Sequence, residues 1–393
     1  MSPTKLVYGF AACVFVTLLL SATLEADAVT YTGSVNLQLA NTDISDGLSI
    51  VSPAGSNLTL SGLRITGDVI ISAAAASSVV ADPVRPTAPT TMSAFQLQIQ
   101  NVTITGNLIV QNLWISGEMS SIDVTDVNVT GRTTVQGYVL NGTNTMIRAS
   151  YFHSVGGLVI QNSNFTTVDV QHSTLGSLAV NDTAMKYLSV MHTNLTLPTA
   201  VNNIGYSLLP GNESLVQGMA VMLKNVSFHE MLSIRNLLVN SSSSIVLDEV
   251  NSMAANGVVS IVGVTGNASW NDTLTIRSSS FAALWFDKTA LSMVSVLDTF
   301  LNSTAGSGVL YMHNCTVPRL QFTSLSIGMP NITFDRLLSR YMEFTSSTFG
   351  FPSSVMLRQV DFLSSFTGVA LSTQFGISFP SSRYQQLHFQ RCR

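Results

Sequence analysis

A short repeat runs through most of the chain and constrains its fold more than any other feature. Between residues 162 and 195 the sequence NSNFTTVDVQ HSTLGSLAVN DTAMKYLSVM HTNL aligns with itself every ten residues. The underlying octad, apolar-x-apolar-x-polar-x-x-apolar, starts about eighteen times between Leu37 and Val355. Its second and fourth positions are mostly polar, which is the alternation of a strand with one buried face. The chain is therefore predicted to be all-β.

The fifth position of the octad is a second regular feature, because it is Asn or Asp in ten of eighteen octads. Strict alternation points this position inward, where polar groups need hydrogen-bond partners. Parallel stacking of the octads supplies those partners as a ladder, and Asn and Asp also suit a corner of the chain. The predicted structural polar ladder consists of Asn41, Asn101, Asn112, Asp126, Asn162, His172, Asp182, His192, Asn225, Asn236, Asp298 and Asn314.

A longer period indicates that the strands coil. The segment VTITGNLIVQN from Val102 is echoed by VNVTGRTTVQG from Val127, and Gly106, Gly131 and Gly156 are evenly spaced. Coils of roughly 20–25 residues predict a right-handed parallel β-helix, which is a solenoid. A leucine-rich repeat is the competing interpretation, since LSVMHTNL from Leu188 fits that pattern too. Such repeats need a further, often helical, segment, whereas here the next strand begins almost at once.

The chain divides into five segments by composition and repeat content. Residues 1–28 combine Lys5, the apolar run from Leu6 to Leu20 and the sequence Ala26-Asp27-Ala28, which predicts a cleaved secretory signal peptide. An uncleaved signal anchor is the alternative. Residues 29–72 are predicted N-terminal β repeats, and residues 73–94 a Pro/Ala/Ser-rich loop or linker. Residues 95–365 are the predicted main β-helix and residues 366–393 a C-terminal tail or cap.

Charge and cysteine content exclude several classes of partner and structure. Only 10% of residues are charged and the net charge is −4, without a basic patch or an acidic run, so we expect no nucleic-acid partner. After signal removal two cysteines remain, Cys315 and Cys392, which are too few for a disulfide framework. They either form one bridge or stay as a buried thiol and a terminal thiol.

The sequence contains fifteen Asn-x-Ser/Thr sequons, which predicts a glycosylated protein of the secretory route. The best acceptors are the sequons placed in predicted loops. Three others coincide with the predicted inward ladder and are expected to stay unmodified, namely Asn101, Asn225 and Asn314. The loop candidates are Asn141, Asn212, Asn240 and Asn267.

No catalytic, cofactor-binding or metal-binding residue is predicted. His172 and His192 with Asp182 between them could begin a metal site if they stacked, but hydrogen-bonded turn positions explain them as ladder members. The close acidic pairs have no accompanying cluster of His, Lys or Arg; Asp123 and Asp126, for example, fall at octad positions that face opposite ways. The common hydrolase, phosphate-loop and metalloprotease motifs do not occur.

The octads VMLKNVSF, LVIQNSNF and LYMHNCTV, together with the signal segment, the sequons and the low charge, carry a family resemblance. Across most of residues 30–365 the chain resembles the dispersed gene family and related membrane-associated surface proteins of kinetoplastid protists. The resemblance implies display at a cell surface. Those proteins are generally longer and carry membrane spans towards the C-terminus, which are not found in this sequence.

These observations predict a secreted protein, or one on the extracellular face of the plasma membrane. We expect a glycosylated β-helical scaffold, adhesin-like and without catalytic activity, whose partners are glycans or host or prey cell-surface molecules. Membrane association would come only through other chains or an uncleaved signal anchor. The alternative is a polysaccharide lyase or glycoside hydrolase on a parallel β-helix. The two differ in whether acidic and basic side chains converge once the coils are threaded.

Overall fold

The structure is a computed structural model that describes residues 29–32, 36–52, 56–73, 95–112, 120–137, 145–204, 219–238, 243–266, 271–303, 307–350, 353–358, 361–367, 375–378 and 383–390. The predicted signal segment and nearly all of the predicted loop at 73–94 lie outside these residues. The contacts group the chain into two compact units, the first containing the described residues up to 184 and the second those from 185 onward.

All regular secondary structure in the described residues is β-strand, and these strands pair in parallel. The strands of the first unit are β1 Val29–Thr32, β2 Asn36–Ala40, β3 Asp43–Ile44, β4 Leu48–Ser52, β5 Asn57–Ser61, β6 Arg64–Ile65, β7 Val69–Ala73, β8 Gln96–Ile104, β9 Leu108–Gln111, β10 Ser120–Val129, β11 Thr133–Gln136, β12 Thr145–Ser154, β13 Leu158–Gln171 and β14 Thr174–Leu175. Strand β15, Leu178–Leu195, runs through the division at residue 184.

The second unit also consists of β-strands, up to the last described residue. They are β16 Thr199–Ile204, β17 Ala220–Phe228, β18 Met231–Arg235, β19 Ser244–Ser252, β20 Val258–Val262, β21 Thr273–Arg277, β22 Ser280–Phe281, β23 Ala283–Asp287, β24 Met293–Leu297, β25 Phe300–Leu301, β26 Ser307–Thr316, β27 Arg319–Thr323, β28 Ser326–Ile327, β29 Met329–Thr345, β30 Thr348–Phe349, β31 Ser353–Arg358, β32 Asp361–Thr367, β33 Phe375–Ser378 and β34 Arg383–Gln390.

In the first unit the strands form two main stacks. The A stack contains β2, β5 and the first halves of β8, β10 and β12, followed by the end of β13. The B stack contains β1, β4, β7, β9, β11 and the start of β13. Because β5 pairs directly with β8, the predicted N-terminal repeats join the stack of the main repeats.

The second unit also contains two stacks of parallel strands, which we likewise call A and B. Its A stack runs from the end of β15 through β17, β19, β21, β24 and β27 to the end of β29. Its B stack runs from β16 through β18, β20, β23 and β26 to the start of β29. Strands β33 and β34 pair in parallel with β31 and β32, so the segment predicted as a tail or cap contains stacked strands.

The pairing register gives the length of each coil. In the first unit Gln96 pairs with Ser121 and Ser121 with Met146, a step of 25 residues each time. In the second unit Ser244 pairs with Thr273, a step of 29 residues, and Thr273 with Met293, a step of 20. The prediction of an all-β parallel β-helix with irregular coils is confirmed. Some steps exceed the predicted length because loops interrupt the coils.

Alternation along each strand places apolar side chains inside. In β8, for example, Leu97, Ile99, Val102 and Ile104 are at most 1% exposed. Complete burial of such a side chain stabilises the fold by about 1.5–3 kcal/mol. In the second unit the rings of Phe322 and Phe344 stack in the core, with centroids 4.6 Å apart and planes inclined by 13°. Parallel in-register stacking thus brings similar side chains from successive coils into direct contact.

The fifth residue of the octad is the corner between two strand segments. All seventeen octads whose fifth residue is described have positive φ there, from 45° at Asp298 to 61° at Gly62. Asn and Asp tolerate this left-handed conformation better than most residues with a Cβ, which explains why they dominate the position. The conformation also shifts the alternation by one place, so that the sixth residue faces the core, as at Val102, Ser173 and Leu325.

The evenly spaced glycines mark a second kind of turn, where successive coils approach closely. Gly131 donates its N–H to the carbonyl oxygen of Gly106 at 3.0 Å, and Gly156 donates to Gly131 at 2.8 Å. A Cβ atom on Gly131 would lie 2.5 Å from the Gly106 oxygen. The 25-residue spacing of these glycines therefore reflects direct backbone contact between coils.

Candidate functional site

The twelve predicted ladder residues all lie at the left-handed corners, with φ between 45° and 55°. All twelve side chains are exposed, so the expectation that this column points into the core is wrong. The physical reason is the shift in alternation at the corner. The corrected residues are Asn41, Asn101, Asn112, Asp126, Asn162, His172, Asp182, His192, Asn225, Asn236, Asp298 and Asn314. A ladder contact on the surface joins the Asn225 amide nitrogen to His192 Nδ1 at 3.0 Å.

Buried Ser and Thr hydroxyls occupy the inward-facing position that was predicted for the Asn and Asp side chains. Ser173 is 4% exposed and donates its hydroxyl to the carbonyl oxygen of Gln171 at 2.7 Å, while the N–H of Phe152 in the neighbouring coil donates to it at 3.2 Å. Ser279 repeats the arrangement with Arg277 and Val250, at 2.7 and 3.1 Å. The signal for this column was present in the ten-residue alignment, which places Ser163, Ser173, Thr183 and Thr193 together.

A second ladder that the sequence reasoning missed is formed by glutamines on the outer surface of the first unit. Gln136 donates its amide to Gln111 Oε1 at 3.1 Å, and Gln161 donates to Gln136 Oε1 at 2.8 Å. All three are register partners in B-stack strands. The expected amide ladder thus occurs one position before the corner.

The sequons that were predicted to be modified or unmodified lie in different parts of the chain. The favoured loop candidates Asn141, Asn212, Asn240 and Asn267 lie outside the described residues. Asn101, Asn225 and Asn314 were set aside as inward-facing, but all three are exposed. Burial therefore gives no reason to expect these three sequons to remain unmodified.

The histidines considered as metal ligands take part in other arrangements. In the first unit His172 stacks on Tyr151, with ring centroids 5.3 Å apart and planes inclined by 10°. Asp182 follows the strand segment 178–181 and belongs to a different corner column from His172. Within the described part of the chain no three His, Cys, Asp or Glu side chains are grouped so that they could hold a metal ion.

Charged side chains from successive coils do converge, and they alternate in sign. In the first unit Arg148 lies 3.9 Å from Asp123. In the second unit the side chain of Asp248 is only 9% exposed. Its Oδ2 lies 2.8 Å from Arg277 Nη2 and 3.9 Å from Lys224 Nζ. If register partners on successive coils carried the same charge, in-register stacking would place those charges directly opposite each other, which is destabilising. The low content of charged residues reduces the number of positions at which this could occur.

A third charged column is centred on His313 in the B stack of the second unit. His313 Nδ1 lies 2.8 Å from Asp287 Oδ1, and its Nε2 lies 3.7 Å from Asp335 Oδ2. The three residues are register partners on β23, β26 and β29. Each ring nitrogen therefore faces a carboxylate oxygen of a neighbouring coil.

Two aromatic side chains lie beside this column on the same outer surface. Trp285 is 46% exposed, and its register partner Tyr311 stacks on His313 with ring centroids 6.2 Å apart. The intervening Leu284, Phe286, Leu310 and Met312 are fully buried and hold the outward residues in place. We call Trp285, Asp287, Tyr311, His313 and Asp335 the aromatic–acidic face. It combines flat aromatic rings with hydrogen-bond acceptors on one parallel sheet.

Cys315 lies next to this face but points into the core. Burial raises the pKa of its thiol to about 11, and the thiol donates to the carbonyl oxygen of His313 at 3.2 Å. The Cys315 thiol is free, and Cys392, the other cysteine of the disulfide considered from the sequence, lies outside the described residues. A buried protonated thiol is a poor nucleophile.

The comparisons with known proteins return no match among family models, curated proteins or solved structures. Among the described residues no helix has the length and apolar character needed to cross a bilayer.

Proposed function

We propose that the protein is a secreted or surface-displayed, glycosylated scaffold that binds glycans and has no catalytic activity. The observation that carries the proposal is the aromatic–acidic face, where Trp285 and Tyr311 lie beside Asp287, His313 and Asp335 on consecutive coils. Aromatic rings provide flat apolar contacts and carboxylates accept hydrogen bonds from hydroxyls, which are the two contacts that sugar rings require. The resemblance to kinetoplastid surface proteins fits this proposal.

The arrangement of charges favours binding over catalysis. Asp248 lies between two cations, and both nitrogens of His313 face carboxylates. A general acid or base must reach the proton of a substrate, and these groups already face partners within their columns. The charged columns therefore support a structural and recognition role.

The test is binding of the mature protein to a panel of neutral and acidic polysaccharides. Cleavage is followed in parallel by measuring the release of new polysaccharide chain ends. We expect binding without cleavage, and Trp285→Ala should weaken it by about fivefold or more. Tyr341→Ala is the matched control, because Tyr341 is 58% exposed but lies in the A stack, and it should change affinity by less than about twofold. Absence of binding to every member of the panel would refute the proposal.

The second candidate function is a carbohydrate-active enzyme, and one observation favours it. Asp287 and Asp335 reach His313 from the two flanking coils, so two carboxylates and an imidazole meet on one surface. Glycosidases use two carboxylates that flank the scissile bond. Release of new chain ends that is lost in both Asp287→Asn and Asp335→Asn would establish this function and overturn the scaffold proposal.

A further inference from the structure

The aromatic–acidic face repeats along the stack rather than along a single strand. Trp285 pairs in register with Tyr311, and Tyr311 with Thr333. Asp287, His313 and Asp335 form the parallel column two residues further on. Neighbouring strands are about 4.8 Å apart, which is close to the length of one pyranose unit in an extended chain. One sugar per coil therefore matches the spacing of the face.

We infer that the ligand is a linear, uncharged polysaccharide that lies along the stack, with successive sugar rings over successive coils. This inference rests on the proposed function and adds the ligand class and its direction. Trp285 and Tyr311 define two adjacent sugar subsites, and the Asp287–His313–Asp335 column runs beside them.

The direction follows from where the aromatic rings lie. A glycan crossing the coils would follow a single strand, which offers Trp285 and Asp287 before the corner at Lys288 on β23, or Tyr311 and His313 before the corner at Asn314 on β26. Such a chain would meet one ring only. A glycan along the stack meets Trp285 and Tyr311 in succession and keeps the same charged column at its side.

The charge of the face decides the ligand class. A uronate polymer would bring its carboxylates towards Asp287 and Asp335, and both ring nitrogens of His313, the basic residue of that column, already face these two carboxylates. The exposed cations Lys288 and Arg336 belong to the adjoining corner column and not to the face. Hydroxyls of a neutral sugar, in contrast, donate charge-assisted hydrogen bonds to carboxylates.

The experiment measures affinity of the mature chain for neutral β-linked glucose and N-acetylglucosamine oligomers, from the monosaccharide to the hexasaccharide, with oligouronates as the acidic series. We expect affinity to rise with length as both subsites fill, by about fivefold to tenfold for the second ring. In Trp285→Ala the rise should stop one sugar earlier. In Thr333→Trp, which places a third ring in register with Tyr311, the rise should extend by one sugar.

Thr275→Trp is the matched control for the added ring, because Thr275 is an outward residue of the A stack, and it should leave the length dependence unchanged. Far-ultraviolet circular dichroism verifies folding of each variant, and Thr333→Tyr replaces Thr333→Trp if the larger ring disrupts the sheet. Tight binding that is independent of length, selective for oligouronates, or insensitive to Trp285→Ala and Thr333→Trp would overturn this inference but leave glycan binding intact. Failure to bind any oligomer or polysaccharide would instead refute the proposed function.

Discussion

Asp272 carries a carboxylate at a place where neighbouring coils have a hydroxyl. In the coil before it, Ser243 Oγ accepts the N–H of Met219 at 3.1 Å, and Asp272 Oδ1 in turn accepts the N–H of Ser243 at 2.9 Å. Asp272 is fully buried, and its Oδ2 has no hydrogen-bond partner within the described residues. A buried carboxylate oxygen without a partner costs free energy, which one serine hydroxyl would avoid.

We therefore expect Asp272→Ser to raise the free energy of unfolding by about 1–3 kcal/mol. Urea unfolding of the mature chain at neutral pH measures the change. Ser243→Ala is the control, because it removes the acceptor for the Met219 N–H and should lower stability by about 1 kcal/mol. A loss of stability in Asp272→Ser would mean that the second oxygen has an essential role.

Cys315 allows a prediction with a defined pH dependence. Its pKa is raised from 9.0 to about 11 because burial disfavours the thiolate. The unfolded chain therefore releases this proton more readily than the folded chain, and the stability contributed by the protonated thiol is present below pH 9 and lost as the pH rises towards 11. In a Cys392→Ser variant, Cys315 should resist alkylation at pH 8 until urea is added. Rapid alkylation of the folded protein would contradict its burial.

The left-handed corner combines a defined backbone conformation with an exposed side chain. Asn162 has a φ of 49° and an exposed side chain, so its contribution is mainly conformational. Asn162→Ala should destabilise the protein by about 1 kcal/mol, because Ala disfavours left-handed backbone. Asn162→Gly should be close to neutral, because Gly adopts this conformation freely. Equal losses in the two variants, measured by thermal unfolding, would assign the stabilisation to the side chain instead.

The octad pattern was sufficient to predict the strands, their parallel stacking and the corner residues. It was insufficient for the side-chain direction at the corner, because period-two alternation alone places Asn101 and Asn314 inside. The single left-handed residue changes that parity, and its effect on direction is not visible in the spacing of apolar residues. The buried column of Ser163, Ser173, Thr183 and Thr193 was visible in the alignment, but its role depends on the same change of parity.

The aromatic–acidic face was beyond prediction because it depends on register between coils of unequal length. Trp285 and Tyr311 are 26 residues apart, whereas Arg277 and its partner Leu297 in the A stack are 20 apart. Loops set these steps, and loop length carries no periodic signal. Sequence reasoning also missed the octad LWFDKTAL from Leu284, which contains both Trp285 and Asp287.

The predicted export of the protein through the secretory route has a direct test. Expression of the entire chain in a eukaryotic secretory host should yield a secreted protein whose N-terminus lies near Val29. The mass should fall on treatment with an N-glycosidase, with Asn141, Asn212, Asn240 and Asn267 as the principal acceptors. Retention of residues 1–28 would indicate a signal anchor, and a mass that does not change would refute the glycoprotein prediction.

The exposed corners have a further consequence for how such a surface could diversify. A corner residue must accept left-handed backbone, but its side chain takes no part in the packed interior, and this chain places Asn, Asp, His, Tyr, Glu, Ser, Lys and Arg at such positions. Changes there alter the charge and shape of the outer surface without requiring the core to repack. The architecture therefore separates the side chains that pack in the core from the corner side chains, which can change the surface without changing the core.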